Sequence, residues 1–135
     1  MPSASRSEAL RQSLLQLHRR VPAAKGSAVI TSDGLVIAMH PPGWDSDIQS
    51  PTGAESVAAM AAVISSAAER TVARLDQGAL ERVLLEGEKG MVGVFPCTRD
   101  AALTVLLAKD AKLGLAARLA QQTAREIAAI LERTE

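Results

Sequence analysis

The run from 102 to 108, most of the segment AALTVLLA, is apolar at every position except Thr104 and shows no alternation. A strand with one wetted face alternates, whereas a strand without alternation is covered on both faces. Such a strand requires helices on both sides of its sheet.

Three segments carry the pattern of those helices. Positions 5–21 open with the capping-box spacing Ser5-x-x-Glu8 and hold Leu10, Leu14, Leu17 and Val21 on one stripe. Pro22 ends this helix, because a proline pushes its predecessor out of the helical region. Positions 52–77 form the second helix, with Thr52-x-x-Glu55 at its start and Gly78 as its stop. The third covers 112–133. Its Ala116, Leu119, Thr123, Ile127 and Ile130 share one face, and Arg118, Gln121, Arg125 and Glu132 the other.

Strand-like runs occupy 28–31, 35–39, 80–86, 91–95 and 102–108. The first two flank Ser32-Asp33-Gly34, where Gly34 takes a positive φ cheaply, so they read as a hairpin. Turn signals at 87–90 and 97–100 separate the last three. The stretch 40–53, HPPGWDSDIQSPTG, has three prolines and no period and reads as a long loop. The element order is helix, two strands, helix, three strands, helix.

A chain of 135 residues is long enough for one core, so 1–135 is expected to be a single domain. Fifteen basic residues balance 15 acidic ones, so no net field points to nucleic acid or an anionic membrane. Eleven of the basic residues are Arg, which suits protein contacts. One Trp, one Phe and no Tyr leave almost nothing for base stacking. No apolar run reaches the roughly 18–20 residues that span a bilayer, and the N-terminal segment lacks a signal region. A lone Cys97 fits a reducing compartment. The expectation is a cytoplasmic protein without membrane insertion.

The middle helix is apolar on both sides. Val57, Met60, Ala61, Ile64, Ala68, Val72 and Leu75 form the stripe expected to cover the sheet. The opposite face still reads Ala59, Ala62, Val63, Ser66 and Ala73, broken only by the charges Glu55, Glu69 and Arg70. Small side chains let another backbone approach closely. Alanine is also a good helix former tolerated on surfaces, but a twofold homodimer through this face is the preferred expectation. The run 80–86, if it lies at a sheet edge, either offers unpaired backbone groups to a mate or uses Arg82 and the flanking glutamates to protect that edge against pairing. Its Leu80, Arg82 and Leu84 join Ala59, Ala62, Val63, Ser66, Arg70 and Ala73 as dimer-interface candidates.

Catalytic and cofactor motifs are missing. The chain has no P-loop, no GxGxxG after a strand, no HExxH and no CxxC, so phosphate, dinucleotide and zinc readings lack their minimum parts. Gly87-Glu88-Lys89-Gly90 has no helix behind it and reads as a hairpin turn. Cys97 as a nucleophile needs a base, and His18 and His40 stand in no triad spacing with it. Asp33 has no second carboxylate at a useful spacing and serves turn geometry. Trp44, beside Asp45 and Asp47, is either an anchor for a partner surface or a cap folded back on the sheet. No enzyme, cofactor or metal site is expected.

The chain resembles the Roadblock/LC7 family, and its bacterial branch most. The residues that carry the resemblance are Arg20-Val21-Pro22 closing the first helix, the hairpin AVITSDGLVIA, the alanine-rich helix, VLLEGEKGMVGVFP, ALTVLLA, and Lys112-Leu113-Gly114-Leu115 entering the last helix. Two features depart from it: the longer proline-rich loop, and Pro22-Ala23-Ala24 where the family commonly has Pro-Gly-Val. The resemblance implies an α+β fold with a profilin-like layering, five antiparallel strands with the middle helix on one face and the terminal helices on the other. It also implies homodimerisation through the middle helix and third strand, and the regulation or scaffolding of a small Ras-like GTPase without an arginine finger. Trp44, Glu55 and Glu69 are the candidates for contacting that partner. The competing reading is a small-molecule sensor of PAS or GAF type, with Thr31 and Thr104 as interior polar groups.

Overall fold

A computed structural model describes residues 2–44 and 52–133. Its elements run α1 (Pro2–Arg20), β1 (Ala24–Thr31), β2 (Val36–His40), α2 (Ala54–Arg74), β3 (Val83–Glu86), β4 (Gly90–Thr98), β5 (Ala101–Ala108) and α3 (Leu113–Leu131). The strands form one sheet in the order β2-β1-β5-β4-β3, every neighbouring pair antiparallel. The non-alternating strand β5 is at its centre.

Two cores explain that lack of alternation. On one face α1 and α3 bury Leu10, Leu14, Leu17 and Ile127 against Phe95, Leu103 and other residues of the sheet. On the other, α2 lays Ala54, Val57, Ala58 and Ala61 over Ala28, Ile30, Val94 and Ala102. The fold is the α+β arrangement that the resemblance implies, with one helix on one face and two on the other.

Several boundaries differ from the sequence expectation. The first helix starts at Pro2, upstream of the Ser5-x-x-Glu8 spacing. Gly53, not Thr52, is the N-cap of α2, without a side-chain cap bond. This helix ends at Arg74, with Leu75 as C-cap and Asp76 at φ 60°. β1 begins at Ala24 because Ala24 and Gly26 pair with Leu107 and Leu106. β4 runs through Cys97 and Thr98, shrinking the last turn to Arg99-Asp100.

The expected strand from 80 is the largest difference. Pairing is Val83↔Val94 and Leu84↔Gly93, so the same register would set Glu81 opposite Pro96. Proline has no N–H for a ladder, and the strand stops at Val83. Leu80 and Arg82 therefore precede the edge strand.

Candidate functional site

The outer face of α2 is broader in its apolar character than its sequence indicates. Met60 is 60% exposed, Val63 64% and Leu75 65%, so Met60 and Leu75 do not face the sheet as expected. The buried stripe is the narrower set Ala54, Val57, Ala58 and Ala61, and the second half of α2 runs past the short β3 with no buried residue. An alanine spacing of i, i+4, i+7 is the signal in the sequence that would have found this stripe.

Around Met60 and Val63 lie Ala59, Ser66, Ala67 and Ala73, all exposed, and the half-buried Ala62. Arg70 Nη1 donates to Ser66 Oγ at 2.6 Å along the same face. The β1–β2 turn borders the patch. Thr31 N–H donates to the Leu35 carbonyl and Gly34 N–H to the Thr31 carbonyl, both at 2.9 Å. Gly34 takes φ 85°, and a Cβ there would stand 3.1 Å from the Ala59 Cα. The turn is thus pressed against α2 where only glycine fits, and Ser32, Asp33, Val63, Ser66 and Arg70 line a shallow groove beside it.

At the sheet edge, Leu84 and Leu85 are 38% and 43% exposed. The alternation of β3 sends Leu85, opposite Val92, to the α2 face and Leu84, opposite Gly93, to the α3 face. The α2 patch and the outer edge of β3 are unpaired in the protomer.

The three partner-contact candidates part company. Trp44 is 9% exposed and belongs to the α2-face core, with its indole laid on Gly26. It is a cap on the sheet rather than a projecting anchor. Asp45 and Asp47 lie outside the described residues. Glu55 is in the first turn of α2, where a carboxylate is favoured by the helix dipole. Glu69 is exposed and borders a depression with Ser65, Thr31 and Arg99.

The groups considered for nucleophilic or sensor chemistry are paired, and several are buried. His18 and His40, unconnected in sequence, meet with ring centroids 4.4 Å apart, and His18 Nε2 shares a hydrogen bond with Ser27 Oγ at 2.9 Å. A serine beside an imidazole is half of a nucleophile pair, but Ser27 is 0% exposed. Cys97 donates weakly from Sγ to the Phe95 carbonyl at 3.7 Å, and burial pushes its thiol up to about 12. A thiolate is the reactive form, so this sulfur is inert near neutral pH. The two interior hydroxyls of the sensor reading are occupied. Thr104 Oγ1 donates to the Gly93 carbonyl at 3.1 Å, and Thr31 Oγ1 accepts from Leu35 N–H at 3.1 Å.

The histidine pair has a consequence for stability. Burial, reinforced by His40, holds the His18 imidazole down to about 4 from its ordinary 6.5. Below pH 6.5 the unfolded chain takes up a proton that folded His18 refuses, so its contribution is whole above pH 6.5 and is lost on the way to pH 4. Urea midpoints at a fixed protein concentration should fall across this window, by less than the full shift in pKa corresponds to, because solvent screens a half-buried imidazole. His18→Gln, which keeps a polar group toward Ser27, should flatten the profile.

The Roadblock/LC7 domain family model matches residues 10–107. The chain belongs to the Roadblock/LC7 family. The uncharacterized protein MJ1340 of Methanocaldococcus jannaschii is 37% identical over 117 residues, spanning 87% of this chain and 95% of the relative. Among solved structures, the Roadblock/LC7 domain from Streptomyces avermitilis superposes with a TM-score of 0.78 at 21% identity, covering 91% of this chain and 98% of that one. The gliding protein MglB of Thermus thermophilus reaches 0.82 at 19% identity, covering 96% and 93%. MglB has also been solved in a tetrameric arrangement, at 0.82 and 20% identity over 94% and 90%. The solved structures share the fold of the chain, and MJ1340 is similar to it in sequence.

Proposed function

We propose that the chain is a homodimeric scaffold that holds and regulates a small Ras-like GTPase in the cytoplasm, contributing no catalytic group of its own. The observation that carries this reading is the outer face of α2, where Met60 and Val63 stand 60% and 64% exposed among small residues and adjoin the free edge of β3. Exposed apolar surface of this kind marks a protein contact. A twofold axis through the patch lets Ala59, Ala62, Val63, Ser66, Arg70 and Ala73 meet their own copies. The backbone of β3 pairs with its symmetry mate in the same operation, continuing the sheet. Leu80, Arg82 and Leu84 then lie at the rim of the contact.

Family membership supports the GTPase, since Roadblock/LC7 proteins scaffold or regulate such partners, and the tetrameric MglB arrangement supports self-association. Glu55 and Glu69 are the exposed carboxylates left for the partner, and Trp44 drops out of that set. No helix among the described residues is long and apolar enough to cross a membrane. Ras-like GTPases from the same genome, loaded with GTP or GDP and mixed with the purified protein, provide the test. A complex selective for one nucleotide, or a changed hydrolysis rate, is expected. If no candidate GTPase binds and none changes its rate, the reading fails.

A further inference from the structure

On the face of the sheet away from α2, α3 packs on β4 and leaves β3 beside it uncovered. A groove of about 450 Å³ follows this step. Its floor is apolar, from Leu84, Leu113 and Ala117, and its rim carries Arg82, Arg118 and Arg125. No carboxylate lines it, and none of the three guanidiniums has a hydrogen bond or ion pair among the described residues. Gln121, on the wall, has a buried Oε1 without a hydrogen-bond donor among those residues.

We propose that this groove holds an extended acidic segment of a partner protein. Guanidinium forks pair bidentately with carboxylates. Arg118 and Arg125 stand two helical turns apart, about 10 Å, which is the reach of about three residues of a polyproline-II chain, whose side chains return to the same side every third residue. Acidic side chains at that interval would meet the arginines, with an apolar residue between them on Leu84 and Ala117. Nucleic acid fits less well, because neither the Trp nor the Phe of the chain lines the groove and phosphate contacts would stand without stacking. The groove opens on the face away from the α2 patch, although it shares Arg82 and Leu84 with the rim of the proposed dimer contact.

Fluorescence anisotropy with a fluorescein-labelled peptide of repeated Glu-Leu-Asp units tests the proposal. Saturable binding that weakens with salt is expected. Arg118→Glu and Arg125→Glu, each at an exposed position of α3, should weaken it by about tenfold or more, equivalent to one lost charge-assisted pair. Arg99→Glu, outside the groove, should leave it unchanged, with circular dichroism verifying the fold of all three variants. The proposal is overturned by absence of saturable binding, by equal affinity in the α3 variants, or by tighter binding of a single-stranded oligonucleotide of similar charge. Dissociation of a dimer by Arg118→Glu would also overturn it, by making the groove a contact between copies.

Discussion

Ser66→Arg is expected to leave the protein folded and monomeric. Ser66 is exposed on the protomer, and arginine is the better helix former, so the single chain has no reason to lose stability. Across a twofold contact the substitution counts twice, placing two guanidiniums near each other and near both copies of Arg70. A buried charge without a partner costs about 3–5 kcal/mol, which weakens self-association by about two to three orders of magnitude. Sedimentation or light scattering over a concentration series reads this directly. Ala62→Arg should act in the same direction, but the Ala62 Cβ is only 3.5 Å from where a Cβ at Gly34 would sit. Its side chain abuts the β1–β2 turn, so Ser66 is the cleaner position. A dimer persisting in both variants would move the interface off this face of α2.

Trp44→Ala is expected to destabilise the fold by about 3–5 kcal/mol, as large aromatic truncations in cores do, out of a typical total of about 5–15 kcal/mol. The α2-face core is otherwise built from small residues. Beyond Ile30, Val57 and Val94 its other buried members are alanines, so the indole is the largest side chain of this buried set. Gly26 makes the room: a Cβ there would lie 2.6 Å from the indole Cε2. Urea unfolding at one protein concentration measures the loss. As Trp44 is the only tryptophan, its fluorescence should be shielded from acrylamide in the folded protein and open to it after unfolding. Unchanged stability with lost partner binding would instead restore Trp44 as an anchor.

Much of the architecture was legible because it rests on local chemistry. Leu10, Leu14 and Leu17 repeat at helical spacing and all three are buried. Gly34 marks a turn that needs a positive φ. The turn reading of Asp33 agrees with the backbone hydrogen bonds that close the hairpin around it. The boundaries that moved depend on partners distant in sequence. β1 extends to Ala24 because β5 lies alongside, and β3 is cut short because its register would meet Pro96.

The sequence by itself determined the element order, the doubly covered central strand, the family, and the two-sided character of the middle helix. These follow from periodicity and residue type, properties each segment carries alone. Only the tertiary structure decided how far the buried stripe of that helix extends, since Val57 and Ala61 are buried as expected while Ala54 and Ala58 replace Met60 and Leu75 in it. Alanines 54, 58 and 61 let α2 sit close on the sheet, and Met60 and Leu75, expected to face it, point outward beside Val63. Tertiary packing likewise placed Trp44 inside, because the space it fills exists where Gly26 of β1 comes beneath it.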